Sequence, residues 1–530
     1  MNTSPLRFVA AAVAAVLVAA SCSSGESVLT TGNEDRPTTT VGADPGSTDE
    51  PATPDDGSTD GSTDGSTDDS TDGSTDEPAA PSTDVTTTTT PLSDLPPCPV
   101  DALDAADGPV ELTFWHGLNV DNEDAINRVT EEYNASQDRV RVTAQNQGSY
   151  GETVDKYYQS RQESRPDVVM FPEYMVQQTA DSDSVIPVGA CIEASAFDLS
   201  QFQRSALAAY STAGVQWAMP FNVSNPILYY NRSMFAAAGL DPDAPPRSLQ
   251  ELRDASQAIV DSGAASYGIA LDTGSDSGGG WFLEQWFANG GEFYADNGNG
   301  RLAPATSVLY DGPFGVELLT YVQQLIEDGL AFNVGDNAGG SDNFLKLADQ
   351  SAPAAMTIGT SAALGTVLNV VDGGLIEGIT AEDIGIGALP GPGPVPTALI
   401  GGASLYVVAD HGDETTAAAW DFIQYLVSPE VQSLWATLTG YVPVRADALE
   451  VDPAATVYAE DPRFRVAYDQ LIGSPDDLAL QGPILGPQRE VRTVTARAVA
   501  DIFAGADVQT ALSGAAQQAN ALIADYNARN

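Results

Sequence analysis

The feature that most limits what this chain can fold into is a break in composition near residue 108. From 23 to about 107 the unit Gly-Ser-Thr-Asp repeats between Gly57 and Asp76, and Thr, Pro and acidic residues fill most of the rest. Large apolar side chains are almost absent, so burial cannot offset the entropy of ordering, and the like charges repel. The stretch 23–108 is therefore expected to be a disordered acidic linker, a tether that gives reach and not recognition. Beyond it lie roughly 420 residues of ordinary globular composition, long for one core and suited to two lobes.

Ahead of the linker, Arg7 precedes an apolar run from Phe8 to Ala20. That run fits a secretory signal and is short for a membrane span, which needs about 20 residues. The following Ala19-Ala20-Ser21-Cys22 resembles a bacterial lipobox, in which the cysteine is acylated and becomes the mature N-terminus. The resemblance implies a lipoprotein signal over 1–22 and an anchor at Cys22 on the outer face of the cell membrane, held by more than one acyl chain. Ala19 stands where a Leu is usual, so plain signal cleavage is the alternative. No later segment reads as long and apolar enough to span a bilayer.

Formal charge is −53 at pH 7, and the linker holds only about 20 acids against Arg36, leaving the globular part near −35. Nucleic acid is not an expected partner. Once Cys22 is set aside, Cys98 and Cys191 are the remaining cysteines of an exported chain, and a disulfide is the default, with two free thiols as the alternative.

Within the globular part, Val110 to Trp115 alternates like a half-buried strand, and a helix follows from Asp121 with Ile126, Val129 and Tyr133 on one face. Val140 to Ala144, Asp167 to Phe171, Pro226 to Tyr230 and Leu405 to Ala409 read as further strands. Thr415 to Val427 reads as a helix. Ser428, Pro429 and Glu430 then restart one, and Gly440 closes it. This is an α/β pattern.

Enzyme chemistry is thin. The two histidines, His116 and His411, are far apart and lack companions at metal-ligand spacing, so neither a metal nor a cofactor is expected. Neither G-x-S-x-G nor G-x-x-x-x-G-K-[ST] occurs. A glycosidase pair of carboxylates stays open among so many acids, which keeps a stalked cell-wall hydrolase or adhesin as a remote alternative.

Several strings resemble the extracellular solute-binding proteins of carbohydrate-type ABC importers. They are TFWHG (Thr113 to Gly117), GSY (Gly148 to Tyr150), PDVV (Pro166 to Val169) and TGYVPV (Thr439 to Val444). Two more, the run from Pro220 to Pro246 and IGGASLYV (Ile400 to Val407), are similar to the branch that binds glycerol-3-phosphate. The resemblance implies a type II periplasmic-binding-protein-like α/β fold with a hinge and an interlobe cleft. Lobe one would be 109–225 with 402–428, and lobe two 226–401 with 429–530. It implies no enzymatic activity, a monomer, ABC permease subunits as partners, and a small ligand: glycerol-3-phosphate, a glycerophosphodiester or, alternatively, an uncharged oligosaccharide.

The branch's binding positions fall on Tyr150, Glu173, Ser224, Trp281, Thr360, Gly402, Tyr441 and Arg492. The two tyrosines would offer phenols, Glu173 would accept from vicinal hydroxyls past the Asp167–Phe171 strand, and Ser224 would donate through its hydroxyl. Trp281 would support an apolar edge, with Trp286 as core. Thr360 or the neighbouring Ser361 would supply a hydroxyl, and Gly402 a close backbone approach. Arg492 would hold phosphate by its planar fork, with Arg489 as understudy. A second tryptophan of the branch is replaced here by Ser275 to Gly280, SDSGGG, which is expected to open the pocket.

Overall fold

The computed structural model describes residues 95–530 apart from 119, 338–339 and 377. The expected signal over 1–22, with Cys22, and the expected linker up to 94 lie outside the described residues. Strands follow in the order β1 (Val110–His116), β2 (Val140–Asn146), β3 (Val168–Pro172), β4 (Val185–Ile186), β5 (Ser211–Thr212), β6 (Val215–Gln216) and β7 (Met219–Ser224). The second half brings β8 (Pro226–Asn231), β9 (Tyr267–Leu271), β10 (Ala331–Asn333), β11 (Ala354–Thr360), β12 (Ile384–Ala388) and β13 (Gly401–Val408).

Two sheets organise the helices. The first has the order β2-β1-β3-β13-β4 with β7 against β13, and the second β10-β9-β11-β8-β12. β5 and β6 pair apart as a short hairpin. In the first, β1 runs parallel to β2 and β3 while β13 returns antiparallel to β3. Each residue of β3 is buried, as a central strand covered on both faces requires. β1 buries Leu112, Phe114 and His116 on alternate positions. Burial pulls His116 down to about 4, so it sits there neutral.

The chain passes between the sheets at a single residue, Asn225, set between β7 and β8. Its amide donates to Ser361 Oγ at 3.3 Å, its carbonyl accepts from Ser361 N at 2.9 Å, and its side chain donates to Ala467 O at 2.8 Å. A second passage runs over 389–400 into β13. The helix Asp413–Leu426 follows, and Ser428 then caps the helix Pro429–Thr439, which Gly440 ends in the left-handed conformation.

Two boundaries differ from the sequence expectation. The helix Pro429–Thr439, assigned to lobe two, packs against the helix Val120–Ser136, and Val442 N donates to Val223 O at 2.7 Å, so this stretch lies with the first sheet. The globular part also begins before 109. The turn Val100–Ala105 packs on the helix Asp413–Leu426, Leu103 is buried, and Cys98 is bonded to Cys191 with Cα atoms 4.9 Å apart. Closing a loop with a sequence separation of 93 contributes on the order of 4 kcal/mol in the chain-entropy account.

Candidate ligand-binding cleft

A cleft opens between the facing strand ends of the two sheets. Of the eight sequence-derived positions, seven line it: Tyr150, Glu173, Ser224, Trp281, Thr360, Gly402 and Arg492. Each is placed by local structure. Ser149 caps the helix Tyr150–Gln159 through a capping box with Glu152, which sets Tyr150 at the first helical position. Its phenol accepts from Asn222 Nδ2 at 2.6 Å. Glu173 follows the last residue of β3, at the carboxyl end where open α/β sheets take ligands. Ser224 ends β7 and Thr360 ends β11 across the Asn225 crossing.

Tyr441 is the eighth position and does not line the cavity: it is fully buried behind Tyr150, with the two hydroxyls 3.1 Å apart, and stacks on Trp435. At three other places the structure sets the alternatives in different positions. Ser361 serves the crossing at Asn225, so Thr360 is the hydroxyl on the cavity. Trp286 donates to Pro390 O at 3.0 Å in the core, while Trp281 lines the cavity. Arg489 pairs with Asp155 at 2.7 Å on the outer side, leaving Arg492 as the cation at the cleft.

Gly401 and Gly402 have separate geometric reasons. A Cβ on Gly401 would come 2.2 Å from the Trp281 ring, so the bare backbone admits the indole. Gly402 adopts φ +90°, and a Cβ there would come 2.0 Å from Asn222 O, so the approach of β7 demands glycine.

SDSGGG does not leave a vacancy. The loop curls over Asp272, whose Oδ1 accepts from Gly274 N at 3.0 Å and Gly278 N at 2.9 Å and from the Ser277 hydroxyl. It thereby adds Asp276 and Ser277 to the cavity wall. Sequence reasoning missed these two, and also Asp272, Tyr174, Asn343 and Phe344. The usable signal for an acidic wall was Glu284, a lone carboxylate inside the otherwise uncharged WFLEQWFAN and therefore in need of a buried partner.

That partner is Arg492, whose side chain is 3% exposed. Its Nε and Nη2 donate to the two Glu284 oxygens at 2.8 and 2.7 Å, and its Nη1 meets Glu173 Oε1 at 2.8 Å. Asp276 Oδ1 stands 3.8 Å from the same Nη1. Burial raises Glu173 to about 7 against the lowering pull of Arg492. Burial likewise raises Asp276. One guanidinium thus anchors carboxylates from both sides of the cleft. Among the described residues no group of three or more His, Cys, Asp or Glu could hold a metal, and no helix is long and apolar enough to cross a membrane.

Two α/β lobes with a polar cleft at their facing strand ends make up the architecture of the type II periplasmic binding proteins. The profile of the bacterial extracellular solute-binding proteins matches residues 128–466, and the chain belongs to that family. It is 28% identical over 429 residues to the sn-glycerol-3-phosphate-binding periplasmic protein UgpB of Rhizobium meliloti (strain 1021), covering 79% of this chain and 95% of the relative. Among solved structures, the cyclic alpha-maltosyl-1,6-maltose binding protein of Arthrobacter globiformis aligns with TM-score 0.62 and 25% identity over 78% of this chain and 99% of that one. UgpB of Mycobacterium tuberculosis, in complex with glycerophosphocholine, aligns with TM-score 0.64 and 22% identity over 79% and 99%. The chain is an exported substrate-binding component of an ABC importer. It delivers a small molecule to a permease and is not an enzyme.

Proposed function

We propose that the captured solute is a glycerol-3-phosphate compound, with a glycerophosphodiester favoured over the free monoester. The observation that carries this is Arg492, the one cationic side chain among the described residues of the cavity wall, which it shares with the hydroxyl-bearing Tyr150, Ser224 and Thr360. Glu173, Asp272 and Asp276 on the same wall argue for the diester. A phosphomonoester brings about −1.5 to −2 charges at pH 7, whereas a diester brings one. The relatives named for sn-glycerol-3-phosphate support the same reading. Acylation at Cys22 would hold this capture on the outer face of the membrane, as a monomer on a long tether.

An uncharged oligosaccharide is the second reading, favoured by the aromatic wall of Trp281, Tyr174, Phe282 and Phe344 among carboxylate acceptors. Thermal shift with glycerophosphocholine, glycerol-3-phosphate and maltotriose separates the two. A true ligand raises stability by about 2.7 kcal/mol at a hundredfold excess over its Kd. Stabilisation by the sugar alone would sink the phosphate reading.

Arg492→Lys sharpens the test, because it keeps the charge that Glu284 needs and removes the planar fork. We expect it to fold and to lose about 2 kcal/mol of phosphodiester affinity by calorimetry. Arg492→Ala is expected to lose roughly 3 kcal/mol or more, and also to destabilise the fold by leaving Glu284 buried without a counter-charge.

A further inference from the structure

Two edges of Arg492 are committed in different ways. The Nε and Nη2 edge is held by Glu284, 2% exposed and itself bound by Gln488 Nε2 at 3.1 Å, so it is fixed within the second lobe. Nη1 faces the cavity, and the place a ligand anion needs is held by Glu173 Oε1 at 2.8 Å. Glu173 comes from the other lobe, at the end of β3, and lines both the main cavity and a smaller one that Arg492 and Glu284 also line. An anion drawn to Arg492 with Glu173, Asp276 and Glu284 all ionised would set four negative charges around one cation in a water-poor space.

We propose that Glu173 is a proton-linked gate: an anionic ligand oxygen takes over Arg492 Nη1, and Glu173 binds one proton from solvent, changing from acceptor of the arginine to hydrogen-bond donor toward the anion. This rests on the phosphodiester reading above. A neutral sugar displaces no charge and draws no proton, so the gate also discriminates between the two ligand classes.

The surroundings of Glu173 suit the role. Arg492 from the helix Gln488–Phe503 favours its ionised form, whereas Glu284 and Asp276 oppose it. Tyr210 and Tyr406 face it as phenols raised by burial, as is Tyr174 beside it. The helix Val176–Ala180 packed below brings no titratable group, and Arg301 shares the smaller cavity. The balance leaves Glu173 near 7, where one proton is exchangeable under ordinary conditions.

The test is calorimetry of the whole mature protein with glycerophosphocholine, whose phosphodiester holds one negative charge across the range used. Titrations run at several pH values, each in two buffers of different ionisation enthalpy. Wild type should take up close to one proton per ligand at about pH 8 and nearly none at about pH 5.5, with Kd rising toward tenfold per pH unit above about 7. Glu173→Gln should bind without proton uptake and with a pH-independent Kd. Asp155→Asn, in the exposed pair with Arg489 outside the cavity, should keep the uptake. Binding by wild type without uptake, or uptake that persists in Glu173→Gln, overturns the gate alone. Absence of any phosphodiester binding at pH 5.5 overturns the ligand reading and takes the gate with it.

Discussion

His411, which like His116 enters no binding argument, shows how one residue writes a pH dependence into the fold. Its Nδ1 lies 2.5 Å from Asp167 Oδ1, and the other Asp167 oxygen accepts from Thr113 N at 2.7 Å, tying the segment after β13 to the start of β3. The hydrogen bond to Asp167 raises His411 above its ordinary 6.5. Burial pushes Asp167 up, yet the His411 and Thr113 donors outweigh it and hold the carboxyl below its ordinary value. A raised histidine contributes stability that is fully present below about 6.5 and lost as pH climbs through its folded pKa, while the depressed carboxyl adds stability lost only in acid. The melting-temperature gap between wild type and His411→Asn should therefore be widest, about 1–2 °C, near pH 5 to 6 and close toward pH 8. A gap that widens with rising pH would contradict the pairing. Arg492, Glu173 and Trp281 were named at this scale from their likeness to the branch's binding positions, and all three line the cavity. Asp276 was not, since in so acidic a chain only its approach to Arg492 sets it apart, whereas the signal at Glu284, a lone carboxylate in an otherwise uncharged helix, went unread.

Elements were legible where periodicity decides them. The alternation of Val110 to Trp115 became β1, the apolar Asp167 to Phe171 run became β3, and the Ser428-Pro429 start and Gly440 stop bound a helix as their chemistry requires. Which sheet that helix joins was not legible. Val431, Trp435 and Ala436 announce a buried face, but the helix packs on Val120–Ser136, some 300 residues earlier, and Trp435 meets Phe221 of β7. The turn Val100–Ala105 was hidden for a related reason: it inherits the linker's Pro and Asp content, and only Cys98 and Leu103 pin it down. The helix Tyr150–Gln159 offers a test at this scale. Ser149→Ala removes one half of its capping box, which accepts from Glu152 N at 3.1 Å. About 1 kcal/mol of stability should be lost, read as a lower melting temperature, and ligand affinity should fall severalfold because Tyr150 is the first residue the cap fixes. Ser149→Thr should restore most of both.

Across the whole molecule the lobes are joined over the cleft by contacts of unequal worth. Arg489 meets Asp155 at 2.7 Å, but the side chains are 33% and 42% exposed, so solvent screens the pair. Tyr526 donates to Asp181 Oδ2 at 2.8 Å near the surface. Arg301 is different. Its Nη1 donates to Ala208 O at 2.9 Å on the first lobe, its Nε donates to Gly482 O at 2.7 Å, and its Nη2 donates to Gln481 O. Burial pulls its guanidinium down to about 9, still protonated at neutral pH, and its hydrogen bonds run to carbonyls. Arg301→Met keeps the length and removes every donor, leaving several buried carbonyls unpaired unless the lobes part and admit water. Ligand-saturated Arg301→Met should therefore show a larger radius of gyration by small-angle scattering than saturated wild type, with affinity about tenfold weaker. Asp155→Asn should change affinity less than about twofold, because an exposed pair is worth little. Equal effects from the two substitutions would mean that charge across the mouth, not the buried arginine bridge, holds the lobes together.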